Sequence, residues 1–535
     1  MLNDPILADS LLTIDWVAAG LPMNDPVAAT HVGGFATLML LAIPAVAGAF
    51  FMMLPGRWWV SWINVSASLF TFGAALLLLR GRPETGLFFH IDDLNVGLIL
   101  LTAFIGLTCS LYSVGYLRSI IAEGQLRPGS VRLYHALYQG VVFAMMLALS
   151  ANNVGLMWVA IELGTLETVI MVGIYRSAAA LEAAWKYFIL GSVGVALALF
   201  GTILIYISAA DAVGEGLNAM AWTTLAARAA GFEPALLDLS FVFILLGYGT
   251  KVGLAPLHAW LPDAHAEGPT PITAVLSGLL MNVAFYAVLR FKMVLAGNLQ
   301  VLPPGAIMIG MGVLSVLFSG FMLYRRQEIK RLFAYSSIEH MGIASVAFGV
   351  GGIAANFAGL LHLAMHSLVK SAIFFAVGRI VQIKGTQRIV RIQGLIETHP
   401  CLAWCFIVSV LAIIGAPPFG LFVSEFLLIT AMMGRYPWAT SLLIVGLLLA
   451  MGVLVRRLNG VVFGERQDDL ENASEEEKVL LTERRNLGEK AARSFRSERT
   501  ACLPMAVHLL LALAAGVALP AAIAAWLKQV ARLLG

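Results

Sequence analysis

Residues 245–265 read LLGYGTKVGLAPLHAWLPDAH. They belong to an apolar run, residues 238–262, long enough for a spanning helix of ~20 residues. The run carries Lys251 near its middle, with Gly249, Gly253 and Pro256 around it. Proline removes a helical N–H and breaks the helix. A broken helix at membrane depth survives only where protein or water satisfies the freed backbone. An ionisable group there costs at least ~2.5–3.5 kcal/mol on insertion scales, so it marks function by default.

The rest of the chain fits a membrane setting. Of 535 residues, 60% are hydrophobic and only 12% charged, against roughly 25% charged in a soluble domain. That composition excludes a soluble enzyme, a disulfide-stapled secreted domain and a disordered chain. A net charge of +3 gives no case for nucleic acid. The four cysteines, Cys109, Cys401, Cys405 and Cys502, form no CxxC pair. Cys401 and Cys405, one helical turn apart in an apolar run, read as packing. The first basic residue is Arg57, so residues 1–56 lack the basic start of a signal peptide.

The expected fold is an all-α polytopic membrane protein of about fourteen spans. Apolar runs place them near 33–55, 58–80, 94–117, 133–151, 154–175, 186–209, 238–262, 271–293, 303–324, 331–350, 355–380, 401–433, 438–462 and 503–527. With the N-terminus outside, the inward loops hold 24 Lys and Arg and the outward segments 8, which orients both termini outside. Segment 464–500, with 18 charges of both signs in 37 residues, is then a cytoplasmic loop. It reads either as a solvated helix with i, i+4 ion pairs or as a docking surface.

Other charges interrupt apolar runs. Glu162, followed by Glu167, lies in MWVAIELGTLE (157–167) of the fifth span. Glu339 and His340 lie in RLFAYSSIEHMG (331–342) of the tenth, and Glu425 in IIGAPPFGLFVSEFLL (413–428) of the twelfth. His362, His366 and Lys370 follow i, i+4, i+8 spacing in the eleventh, which puts all three on one helix face. Imidazole accepts a proton on one nitrogen and passes it from the other near neutral pH. The plainer reading is that each group only hydrogen-bonds a carbonyl between helices. The twelfth span repeats the oddity of the seventh, with Gly415, Pro417, Pro418 and Gly420 just before its charge. Five spans separate the two breaks, and an odd offset inverts the topology. Paired interrupted helices in inverted halves point to a transport site. The expected organisation is therefore spans one to three in 1–132, one five-helix repeat in 133–293, its inverted partner in 303–462, the charged loop in 463–502 and a last span in 503–535.

His362 and His366 have a zinc-compatible spacing, but no HExxH pattern or cysteine accompanies them. No phosphate loop or haem motif is present either, so neither metal nor cofactor is expected. His258, Asp263 and His265 follow the seventh span and either tune proton entry or cap and fix the loop.

The stretches GTKVGLAPLHAWLPDAHAEGPTPITAVLSGLL (249–280), EIKRLFAYSSIEHMG (328–342), LLHLAMHSLVKSAIFF (360–375) and GAPPFGLFVSEF (415–426) resemble the antiporter-like proton-channel subunits of respiratory complex I, Mrp-type cation/proton antiporters and group 4 hydrogenases. The resemblance covers about residues 90–460. NNVGLMWVAIE (152–162) and LEAAWKYFI (181–189), together with SSIEHMG (336–342), look most like the hydrogenase-4 component F branch. This resemblance implies a fourteen-helix, proton-translocating subunit of an inner-membrane oxidoreductase complex, without a redox centre. Its partners would be other membrane subunits and peripheral redox subunits on the cytoplasmic side. It assigns proton transfer to Glu162, Lys251 and Glu425, and central polar positions to His340, His362 and His366, with Lys370 on the same face. One position departs: relatives with a lysine in the eighth span have it where this chain has Asn282, in LLMNVAFY (279–286). Two other activities share the same pattern, a Na⁺ or K⁺/H⁺ antiporter and a proton-driven subunit for inorganic-carbon uptake.

Overall fold

The computed structural model describes residues 26–464 and 498–535. Most of the charged 464–500 segment, 465–497, lies outside the described residues. The described chain is helical, with strand-like pairing limited to isolated bridges. Its principal helices are α1 (Pro26–Phe51), α2 (Val60–Leu77), α3 (Asp93–Ala122), α4 (Pro128–Ser150), α5 (Val154–Val172), α6 (Ala178–Val213), α7 (Pro234–Val252), α8 (Thr270–Ala296), α9 (Gly305–Arg325), α10 (Ile329–Val350), α11 (Gly352–Lys384), α12 (Pro400–Ile413), α13 (Gly420–Met432), α14 (Pro437–Phe463), α15 (Glu498–Val517) and α16 (Ala521–Leu533). Among the described residues, eleven helices are long and apolar enough to cross a membrane, or twelve with the bent α15–α16 pair.

Almost every side chain of α8, of α10 and of the middle of α11 is buried, whereas the outer helices leave a large apolar share exposed. That layout follows from composition: the central three carry Asn282, Glu339, His340, His362, His366 and Lys370, which lipid cannot solvate. Backbone contact welds α9 to α10. A Cβ on Gly312 would lie 2.6 Å from the carbonyl oxygen of Gly342, and one on Gly349 would lie 2.8 Å from that of Gly305. Small residues at such crossings let membrane helices touch without an intervening layer of side chains.

The fourth and fifth spans are separated at Asn152-Asn153. Asn153 caps α5 by accepting from the Leu156 N–H at 3.0 Å, and Asn152 donates to the Gly86 carbonyl at 2.6 Å. Two expectations need correction. Lys251 does not stand at the middle of its span; α7 ends one residue later, at the break its glycines and Pro256 mark. Gly253, at φ 84°, provides the left-handed turn, and the N–H groups of Gly253 and Leu254 both return to the Gly249 carbonyl. The twelfth span, 401–433, is interrupted where its glycines and prolines mark a break: it is two helices, α12 and α13, because Gly415 (φ 67°) and two prolines stop the first. The last span ends at Val517 rather than near 527, and beyond Pro520 the chain turns by 79° into α16. α16 packs across the bundle: Trp526 lies against Gly97, and Asn356 donates to the Ala531 carbonyl at 3.1 Å.

Two charged residues counted with the outward segments are buried in α8. Arg290 makes a two-point ion pair with Asp92, 2.8 Å on each arm, and lies over the Trp222 ring. The same carboxylate caps α3 through the Leu94 and Asn95 N–H groups. One residue thus both starts a helix and holds a buried guanidinium. Lys292 donates to the Leu534 carbonyl at 3.2 Å.

Candidate proton-relay site

The freed backbone at the α7 break is satisfied by protein. Trp260 donates its indole N–H to the Thr250 carbonyl at 2.7 Å, and Ser315 of α9 accepts from the Ala255 N–H at 2.8 Å. The break can therefore persist at membrane depth. It places Lys251, wholly buried, in a slot against α6. A Cβ on Gly191 would lie only 2.7 Å from Nζ, so glycine there makes the room. The ammonium lies 5.3 Å from the Tyr187 ring centroid, and that ring stacks on Trp260 at 4.3 Å. Nζ has no hydrogen-bond partner among the described residues. Glu162 of α5 is the acid whose charge acts on it, yet the two do not form an ion pair in contact. Glu162 accepts a hydrogen bond from Ser192 at 3.4 Å, and its other oxygen is unpartnered. Glu167 points elsewhere, with its carboxylate against Gly140 of α4.

A second group of polar side chains lies between α10, α11 and α13. His340 Nδ1 and His362 Nε2 share a hydrogen bond of 3.1 Å, and His362 Nδ1 meets Ser424 Oγ at 3.0 Å. The His340 and His366 rings are 5.4 Å apart, and neither His366 nitrogen has a hydrogen-bond partner among the described residues. Glu425 folds back over the second break, with its carboxylate against Gly415 and Oε1 without a hydrogen-bond partner among the described residues. Ligand-capable atoms of His340, His362 and Glu425 all lie within 4.8 Å of one another. Lys370 departs from the other two on its face: Nζ donates to the Phe333 carbonyl at 2.8 Å, and its charged neighbour is Glu339. The titratable groups gathered at Glu425 are therefore His340 and His362, while Lys370 is held at the Phe333 carbonyl.

The middle of the molecule explains the departure at Asn282. A π-turn over Leu276–Leu280 interrupts α8, a feature common at functional sites. It precedes Asn282, whose amide donates to Ser367 Oγ at 2.6 Å. Ser367 adjoins His366, so the eighth span is tied to the eleventh by polar contact without a titratable group. On the way from Lys251 to Asn282, the apolar side chains of Leu261 and Met281 pack over Gly253. A proton crossing there needs water.

His258, Asp263 and His265 hold the loop after the break. Asp263 bridges Lys186 at 3.1 Å and Arg331 at 3.3 Å, His265 bonds the Leu261 carbonyl, and His258 packs on Phe318. Lys330 joins them by donating to the Gly268 carbonyl at 2.9 Å. Sequence reasoning passed over three polar anchors: the Asp92–Arg290 pair, Lys330, and His508 of α15, which bridges Thr108 and the Leu368 carbonyl. Isolated polar residues in apolar runs were the available signal for Arg290 and His508.

Residues 151–450 match the family model described as NADH:quinone oxidoreductase/Mrp antiporter, transmembrane. The chain is 53% identical over 474 residues to the hydrogenase-4 component F homolog of Methylacidiphilum infernorum, covering 89% of this chain and 94% of that one. In fold it is similar to a chain of the Mrp complex from Dietzia sp., with a TM-score of 0.75 at 19% identity over 93% of this chain and 97% of that one. It is likewise similar to a chain of Thermus thermophilus respiratory complex I, with a TM-score of 0.72 at 21% identity over 94% and 100%.

Proposed function

Since the chain belongs to the NADH:quinone oxidoreductase/Mrp antiporter transmembrane family, we propose that it is the proton-translocating, antiporter-like membrane subunit of an oxidoreductase complex related to complex I and the group 4 hydrogenases. The observation that carries this reading is the pairing of each helix break with a buried, incompletely partnered charge, Lys251 at one and Glu425 at the other. A charge left without hydrogen bonds at membrane depth is costly, and such groups are retained where they act.

In the proposed cycle Glu162 supplies the counter-charge that holds the proton on Lys251. A shift driven by redox chemistry in partner subunits weakens that interaction, and the lysine proton passes through water toward the Asn282–Ser367 contact. His366, His340 and His362 carry it on, each accepting on one ring nitrogen and giving from the other. Glu425 receives it and releases it. Re-approach of Glu162 resets the lysine. Glu339 and Lys370 form a flanking pair that sets the local field.

The coupling has a direct test. A double-mutant cycle on Glu162→Gln and Lys251→Met is expected to show an interaction on the order of 1 kcal/mol in the stability of the purified chain, a readout that survives the loss of pumping. Strictly additive losses would remove Glu162 from the role and leave Glu167 as the next acid to examine.

We further propose fourteen spans with inverted repeats over 133–293 and 303–462. To the eleven apolar helices this adds α15, the polar but buried α10, and the α12–α13 pair taken as one span. The 24-to-8 split of Lys and Arg supports an inner-membrane orientation with both termini outside and the 464–500 segment cytoplasmic. A cysteine engineered into that segment is expected to resist a membrane-impermeant thiol reagent added to intact cells. Labelling from outside would invert the topology.

A further inference from the structure

Three of the four cysteines converge in space. Cys401 is the second residue of α12, and Cys405 follows one turn later on the same face. Cys502, about a hundred positions further on, enters beside them from the first turns of α15. All three Sγ atoms lie within 4.8 Å of one another. The fourth, Cys109, is buried in α3 away from this cluster. A thiol packed for bulk alone behaves as a small apolar side chain and needs no like neighbour, which is how Cys109 sits. Three sulfurs meeting from two separate helices are a donor set.

We propose that Cys401, Cys405 and Cys502 form a binding site for a thiophilic d¹⁰ divalent cation of the zinc class. Thiolates bound to tetrahedral zinc lie ~2.3 Å from the metal and therefore ~3.8 Å apart. The sulfurs reach that spacing by side-chain movement of about 1 Å or less. Binding forms three metal–sulfur bonds and breaks three S–H bonds; the three protons leave to solvent, and water fills the fourth position. No electron changes hands. Cys401 and Cys405 are half-buried, which gives the cation a way in, and Cys502 is buried.

The location gives the site its use. α15 follows the charged 464–500 segment, and its far end packs on the second break, where a Cβ on Gly516 would strike the Pro418 carbonyl. A cation held by both helices would staple α15 to the first half of the broken pair, at the end opposite Glu425's helix. Occupancy would then fix the helix on which the break leans, without touching the relay.

The probe is cadmium, added to the reduced full-length chain in detergent and followed by sulfur-to-cadmium charge-transfer absorbance. We expect one cadmium per wild-type chain, protection of three of the four thiols from alkylation, and a raised Tm. Cys502→Ser and Cys401→Ser are each expected to weaken binding at least ~10-fold and to remove the Tm shift, whereas Cys109→Ser changes neither. If Cys502→Ser does not fold, Cys401→Ser alone decides. Absence of the cadmium band, a band insensitive to both serines, or isolation of the chain with a Cys405–Cys502 disulfide and no bound metal would each overturn the proposal.

Discussion

Lys251→Met is expected to abolish proton translocation while the complex still assembles. Methionine keeps most of the lysine volume in the slot against Gly191 and Tyr187, so the packing of α7 on α6 survives. What it removes is the buried ammonium group at the first break, which can hold and release a proton. A positioned proton carrier contributes a factor on the order of 100 or more, so pumping by an assembled variant should fall into the background. Lys251→Ala should fall equally far but also lose stability, because it leaves a cavity where Nζ and its stem were. Comparing the two separates charge from bulk. Pumping at the wild-type rate by assembled Lys251→Met, measured in proteoliposomes as acidification per turnover, would refute the role.

Glu425→Gln is expected to block pumping as severely, and Glu425→Asp to retain part of it. Glutamine reproduces the shape of the carboxylate over Gly415 and can make hydrogen bonds, but it cannot titrate. Aspartate titrates, but from a side chain one methylene shorter, and His340 and His362 stand at the edge of reach, within 4.8 Å. The competing role is structural: a carboxylate that satisfies backbone groups freed by Pro417 and Pro418. The unpartnered Oε1 speaks against that role, and the order of the two variants decides it. A purely structural Glu425 predicts that Gln, the closer match in shape, outperforms Asp. A relay group predicts the reverse, by about 10-fold or more.

How far the fold could be read from the sequence depended on what each feature was made of. Residues 187–210 of α6 and 437–455 of α14 carry no charged side chain, so length alone marks those spans. α10 is too polar to pass an apolarity test by itself; its recognition rested on the apolar residues between Lys330, Glu339 and His340, and its burial on every side accounts for the charges. The ends were less legible. In 401–433 the glycines and prolines mark the break, but nothing local says that α12 stops at Ile413 and α13 restarts only at Gly420. Lys251 was placed at mid-span because hydropathy cannot register where Gly253 turns the backbone. Within the candidate site, helical period puts His362, His366 and Lys370 on one face, but a period cannot name partners. It therefore missed that Lys370 turns to the Phe333 carbonyl while His362 turns to Ser424. The convergence of Cys502 on Cys401 and Cys405 is a tertiary fact with no trace in spacing.

The backbone contact between α9 and α10 has a mechanical consequence. Where Gly312 meets Gly342, no cushion of side chains separates the two helices, and a joint without a cushion has little give. His340 stands two residues from that joint. The pair therefore behaves as a single stiff strut: whatever displaces α9, including a neighbour pressing on its exposed flank of Leu314 and Phe321, displaces His340 by a similar amount instead of being absorbed along the way. An α-carbon substituent at Gly312 or Gly342 would prise the strut apart and add the slack that the wild-type protein lacks.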